Sequence, residues 1–215
     1  DRKIFSSSGG SGLEFTSANF GAAVNPDSAT YTNAQVVDYL RGKRTGEGDI
    51  FRIRSGLMGA VVNSEPVLAR EEQTVYVASG EGMLHAFDTV TGNEQWAYMP
   101  QDKLAAIGQS VQRGWVYSTL LDATPSYGKL SSGAKMLVGG LGAAGRSYYA
   151  LDVSSPRNLT AAQAAAQFKW IFPTAGDATN RGNMGYTVGK PVYARVKIAG
   201  VDTDVVLVTS GYDNG

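Results

Sequence analysis

A strand repeat constrains this chain more than any other feature of its sequence. Three segments align on a proline: Ser64-Glu65-Pro66-Val67-Leu68, Ala123-Thr124-Pro125-Ser126-Tyr127 and Gly189-Lys190-Pro191-Val192-Tyr193. Each leads into an apolar strand ending in small residues: Val75-Tyr76-Val77-Ala78-Ser79-Gly80, Met136-Leu137-Val138-Gly139-Gly140 and Val206-Leu207-Val208-Thr209-Ser210-Gly211. In the first two copies a further strand ends on aspartate, Leu84-His85-Ala86-Phe87-Asp88 and Tyr148-Tyr149-Ala150-Leu151-Asp152. A tryptophan strand then closes the unit, Gln95-Trp96-Ala97-Tyr98 and Lys169-Trp170-Ile171-Phe172. The third copy stops at Gly215, before its aspartate and tryptophan strands.

Four short strands per unit, with the prolines 59 and 66 residues apart, match the pattern of a propeller blade. The proline suits the first residue of a strand, where a missing N–H does least harm. Asp88-Thr89-Val90-Thr91-Gly92 reads as a hairpin turn whose side-chain oxygens cap backbone donors, with Gly92 available for positive φ. In the second copy this turn is enlarged through Ser154-Ser155-Pro156 into 159–167, an alanine-rich run expected to form a short helix. Trp96 and Trp170 are expected to pack between neighbouring blades. The expectation is therefore an all-β chain: part of a β-propeller, two complete four-stranded blades and part of a third, over residues 59–215. A propeller needs about 4–8 blades to close, so the propeller is expected to continue beyond residue 215.

Residues 1–58 form the flank. Residues 5–30, rich in Ser, Gly, Ala and Asn, read as an irregular surface segment. Thr32 reads as the N-cap of a helix over 33–41, stopped by Gly42, with Val36 and Leu40 on one face. Residues 43–58 carry charges and glycines and lead into the first blade. The opening Asp1-Arg2-Lys3-Ile4-Phe5 lacks the apolar core of a signal peptide. Either the protein is not secreted or residue 1 is not its original N-terminus.

Composition narrows the function classes. Lysine plus arginine equals aspartate plus glutamate at 19 each, which argues against nucleic acid or an anionic membrane as partner. No apolar run approaches the about 20 residues needed to span a bilayer. With no cysteine, disulfides, thiolate metal sites and a cysteine nucleophile are excluded.

The motifs that could carry chemistry are few. Gly140-Leu141-Gly142-Ala143-Ala144-Gly145 spells G-x-G-x-x-G after an apolar strand, as a dinucleotide fingerprint should. That fingerprint also needs a helix to begin there, whereas Arg146-Ser147-Tyr148-Tyr149-Ala150-Leu151-Asp152 alternates as a strand. The motif is read as a structural turn. His85 is the sole histidine, so no His-pair metal site can be built. It could serve as a base beside a serine, but its repeat position holds Tyr149 in the second unit, and it is read as a partly buried aromatic hydrogen-bonded to a neighbouring blade. Asp202, Asp204, Asp213 and Asn214 are the nearest approach to a calcium loop and supply too few oxygens; Asp202 and Asp204 flank Thr203 in an expected turn beside Gly200. No catalytic, cofactor-binding or metal-binding residue is assigned. The tyrosines, Tyr117, Tyr127 and Tyr186 among them, are read mainly as packing residues.

The residues also carry a family resemblance. Val36-Val37-Asp38-Tyr39-Leu40-Arg41-Gly42, Asn63-Ser64-Glu65-Pro66-Val67, Gly80-Glu81-Gly82-Met83-Leu84-His85-Ala86-Phe87-Asp88 and Ala97-Tyr98-Met99-Pro100 are similar to the C-terminal domain of the PilY/PilC family. Leu137-Val138-Gly139-Gly140-Leu141-Gly142-Ala143-Ala144-Gly145-Arg146, Tyr149-Ala150-Leu151-Asp152-Val153 and Gly185-Tyr186-Thr187-Val188-Gly189-Lys190-Pro191-Val192 follow in the same order. The resemblance spans roughly residues 35–215. One departure is the long spacing from Asp49-Ile50 to Ser64-Glu65-Pro66, where the family reads Asp-Ile-x-x-Ser-x-Pro.

The resemblance implies a modified propeller, exported through the periplasm to the tip of type IV pili. It implies a non-enzymatic role in pilus assembly, surface adhesion and twitching motility. Minor pilins, the remainder of its own propeller and N-terminal region, and a host or abiotic surface are the implied partners. The family's regulatory calcium loop is expected downstream of Gly215, with no cofactor in the present segment. Two other readings share the blade pattern. A pyrroloquinoline quinone dehydrogenase would need a closed ring, a calcium ion and a clamp of adjacent cysteines, which this chain lacks; a propeller scaffold of outer-membrane assembly would bind proteins without chemistry.

Overall fold

In the computed structural model, residues 2–213 are described. The chain is mostly β, with several sheets. Strands β1 (Ile4–Ser8) and β2 (Ser11–Glu14) form a hairpin and helix α1 (Ser17–Val24) follows, capped by the Thr16 hydroxyl. The sequence reading of 5–30 as irregular is corrected here. Ile4 and Phe5 are buried, and β1 pairs in parallel with the tryptophan strand of the first repeat, Phe5 opposite Tyr98. The hairpin turns on Gly9 and Gly10, both at positive φ, the conformation a two-residue hairpin of favourable twist requires. Polar composition hid this strand because a sheet edge, not an alternating apolar pattern, recruits it.

Helix α2 (Asn33–Leu40) forms as its caps dictate. The Thr32 hydroxyl accepts from the Gln35 N–H and the Gln35 side chain accepts from the Thr32 N–H, a complete capping box. Gly42 stops it at φ 107°.

The first repeat unit is a four-stranded antiparallel meander: β3 (Val67–Ala69), β4 (Thr74–Ser79), β5 (Met83–Asp88) and β6 (Glu94–Tyr98). With the N-terminal hairpin added it becomes a six-stranded sheet of order β2-β1-β6-β5-β4-β3. Asp88 shapes the β5–β6 turn, its Oδ1 accepting from the N–H groups of Val90 and Thr91, with Gly92 at φ 73°. A 3₁₀ turn (Gln101–Lys103) and α3 (Leu104–Gln109) lead out.

The second unit repeats the meander with β7 (Ser126–Lys129), β8 (Lys135–Gly140), β9 (Tyr148–Asp152) and β10 (Phe168–Phe172), in order β10-β9-β8-β7. Its enlarged turn carries the expected helix, α4 (Ala161–Ala165), with a Thr160–Gln163 capping box. After α5 (Ala178–Asn183), the third copy is a hairpin of β11 (Val192–Ile198) and β12 (Val201–Leu207). Pro66, Pro125 and Pro191 each immediately precede the first strand of their copy. No sheet among the described residues closes into a barrel.

Two cores result. One lies between the first two units, where Phe5, Tyr76, Trp96 and Tyr98 meet Leu137, Tyr149 and Phe168. Trp96 is fully buried and its indole N–H donates across to the Pro156 carbonyl, 3.0 Å away. Trp170 differs from expectation. It is 36% exposed and lines a shallow apolar groove with Phe172, Val206 and Val208, because the third copy offers only a hairpin against it. The second core packs α1, α2 and α3 around Phe51, Met83 and Met99.

Candidate functional site

The residues flagged by sequence separate in space. Gly140 to Gly145 form a strand-to-strand turn from β8 into β9, with Gly142 at φ 70°. A Cβ at Gly140 would lie 2.4 Å from the Thr187 carbonyl oxygen, so glycine there serves close backbone approach and no phosphate-binding helix follows. The hairpin turn of the third copy sits on Ala199 and Gly200, both at positive φ. Asp202 and Asp204 therefore lie on β12 rather than in the turn: Asp202 pairs with Lys197 and Asp204 accepts from Ser131. Asp213 pairs with Arg146; Asn214 and Gly215 lie outside the described residues. No group of three or more His, Cys, Asp or Glu side chains is arranged to hold a metal ion among the described residues.

His85 is the centre of a buried charge network. Strand β5 presents it inward at 1% exposure, between β4 and β6. Its Nδ1 is 2.7 Å from Glu94 Oε1, and its Nε2 is 2.8 Å from both Glu81 Oε1 and Ser79 Oγ. Ionised carboxylates only accept, so both ring nitrogens are donors and the imidazolium is the form that fits. Burial by itself lowers the imidazole pKa, but the hydrogen bonds and charges of Glu81 and Glu94 outweigh it and raise the value above the ordinary range. Arg2 grips Glu94 with two bonds of 2.6 Å, from Nε and Nη2. Burial raises the Glu94 pKa, yet Arg2 and His85 together pull it down to about 2. Glu81 is likewise lowered, burial being overcome by His85, and its Oε2 accepts from the Gly59 N–H at 2.7 Å. Two cations thus face two anions, tying the N-terminal segment and the 55–60 stretch to the first meander.

Ser79, His85 and Glu94 have the connectivity of a hydrolytic triad, and chemistry argues against that use. Ser79 is 1% exposed. An imidazolium held between carboxylates cannot accept the serine proton, which a general base must do. The expected partner of His85 was a neighbouring blade; its partners instead lie within its own meander, Ser79 on β4, Glu81 in the β4–β5 turn and Glu94 on β6.

A cavity of about 200 Å³ opens on the outer side of Glu81, between the 52–60 stretch and the 110–117 stretch. Arg54 builds its floor. It donates to Glu47 and to the carbonyls of Tyr39 and Lys43, with its Cζ 3.6 Å from the Tyr39 ring centroid. Arg52 and Trp115 form the rim, the guanidinium 4.8 Å from the indole centroid. Sequence reasoning missed this cleft, since its residues come from four separated stretches. The long spacing between Ile50 and Ser64, which supplies one wall, was the available signal.

No family model matches this chain. It is 30% identical over 216 residues to a type IV pilus biogenesis factor PilY1 homolog of Xylella fastidiosa, an alignment covering 85% of this chain and 16% of that protein. It is 30% identical over 208 residues to type IV pilus biogenesis factor PilY1 of Pseudomonas aeruginosa (strain UCBPP-PA14), covering 80% of this chain and 17% of that protein. The chain thus spans about a sixth of the length of these curated relatives. Among solved structures, the crystal structure of the Pseudomonas aeruginosa PilY1 C-terminal domain matches with a TM-score of 0.45 at 28% identity, covering 66% of this chain and 25% of that one.

Proposed function

From its homology to a segment of the PilY1 type IV pilus biogenesis factors, we propose that this chain serves type IV pilus biogenesis, as a non-enzymatic part of a PilY1-like protein. The observation that carries the reading is the similarity along 85% of the chain, which takes in both complete repeat units. Adhesion and twitching motility follow in the same proposal, as does a location at the cell surface, at the pilus tip. Pilus components, minor pilins among them, are the proposed partners. Calcium is proposed to act through a loop downstream of Gly215. No helix among the described residues is long and apolar enough to cross a membrane.

The two meanders and the third hairpin are proposed to be consecutive propeller blades, occupying residues 59–215. Their shared strand order and the core between the first two units support this. Residues 1–58 are proposed to be docked on the blades, as the β1–β6 pairing suggests. The non-enzymatic reading is supported by His85, the sole histidine, being buried and locked between two half-buried carboxylates.

Deleting the gene in its source bacterium and measuring sheared surface pilin tests the proposal. Loss or strong reduction of surface pili is expected; normal piliation in a strain with no second copy of the gene would overturn it.

A further inference from the structure

The cleft beside Glu81 does not end at its rim. Beyond the Arg52–Trp115 pair it continues into a more open pocket of about 470 Å³ reaching Phe51, Ile53 and Arg113. Arg52, Trp115 and Tyr117 line both halves. Apolar side chains stand out of the surface beside them: Val116 is 83% exposed, Ile53 73% and Tyr117 51%. Exposed apolar surface of this kind, framed by polar groups, marks interaction sites, and Trp, Tyr and Arg are the residues that most often anchor partners.

The charge of the groove is one-sided. Arg52 donates through Nε to the Ser110 carbonyl, and its two Nη groups have no hydrogen-bond partner among the described residues. Arg113 adds a second cation, bonded only to the Asp49 carbonyl among those residues. The sole acid among the lining residues is Glu81, and both its oxygens are engaged, by His85 and by the Gly59 N–H. A guanidinium with a free edge, fixed at its Nε and stacked on an indole, is preorganised to take a carboxylate in two parallel bonds.

We infer that this groove binds an acidic peptide segment of a partner protein, with a Glu or Asp carboxylate on the Arg52 fork and flanking apolar side chains on Trp115, Ile53 and Val116. The occupant is taken to be a peptide with residues flanking its carboxylate, because two pockets share the Arg52–Trp115 pair as lining. A nucleic acid would need a longer basic track than two free arginines provide, and the chain's charges balance at 19 each. The inference concerns binding by the protein itself and stands or falls apart from the pilus reading.

The test uses the intact purified protein and a tetramethylrhodamine-labelled Leu-Glu-Phe-Asp-Leu peptide, read by fluorescence anisotropy. Saturable binding is expected, weakened by 0.5 M NaCl and weakened about 10-fold or more in Arg52→Gln. Gln at that position can still donate to the Ser110 carbonyl. Arg113→Gln, at an exposed side chain, should weaken binding by a smaller factor and covers the case in which the Arg52 variant misfolds. Arg195→Gln, on the distant β11, should bind as the parent does. The inference is overturned if the peptide does not bind, if its Gln-Phe-Asn analogue binds as tightly, or if both groove variants bind like the parent. Competition by free glutamate as effective as by unlabelled peptide would also overturn it, assigning the site to small acids.

Discussion

Replacing Glu94 with Gln removes the one carboxylate that faces both Arg2 and His85 while keeping the size of the side chain. The Glu94 pKa falls from 4.5 to about 2 in the folded protein. At about 1.4 kcal/mol per pKa unit, the ionised group contributes on the order of 3 kcal/mol to folding at neutral pH. Glu94 is a depressed acid, so its contribution is present above 4.5 and lost as pH falls through about 2. His85 has the opposite sign. Its pKa is raised above 6.5, so its contribution is present below that value and lost as pH rises through the folded-state pKa. The parent protein should therefore weaken at both ends of the pH range. Glu94→Gln should lower the unfolding free energy at pH 7 by about 3 kcal/mol, and should flatten both limbs, since His85 then has Glu81 alone. Urea unfolding at a series of pH values from 3 to 9, followed by tryptophan fluorescence, measures this. A variant within about 0.5 kcal/mol of the parent, or one that keeps the parent's pH slope, would refute the network as a source of stability.

The two tryptophans at equivalent repeat positions should behave differently. Trp96→Ala empties a fully buried site and orphans the Pro156 carbonyl, and should cost about 3–5 kcal/mol, whereas Trp170→Ala should cost about 1 kcal/mol or less; denaturant titration compares them. Gly108→Ala would place a Cβ 1.9 Å from the Val24 carbonyl oxygen, where α3 crosses the end of α1. It should cost about 1–3 kcal/mol, seen as a lowered Tm, while Gly114→Ala, with open space around it, should leave the Tm close to the parent's.

The parts of the fold that could be read from sequence are those governed by local rules. Pro66, Pro125 and Pro191 mark strand starts because a missing N–H is tolerated there, and β4, β5, β8 and β9 fall where the repeated apolar runs place them. The caps at Thr32 and Thr160 are likewise local chemistry. What escaped is long-range. Strand β1 exists because β6 offers an edge 90 residues later, and only the Gly9-Gly10 pair hinted at its hairpin. The environment of His85 depends on Arg2 and Glu94, and neither residue's role is visible from the pattern around His85. The Arg52–Trp115 groove is further still from legibility, since Arg52 meets Ser110 and Val111, at the end of α3, only when two stretches nearly 60 residues apart in sequence fold together.

The proposed part of this segment in type IV pilus biogenesis is tested by complementing a gene-deletion strain with the intact gene or with an allele lacking the codons for residues 35–215, scoring surface pili by shearing and immunoblot. The intact gene is expected to restore pili, and the truncated allele, confirmed to be expressed and exported, is expected not to. Restoration of piliation by the truncated allele to the level of the intact gene would contradict it.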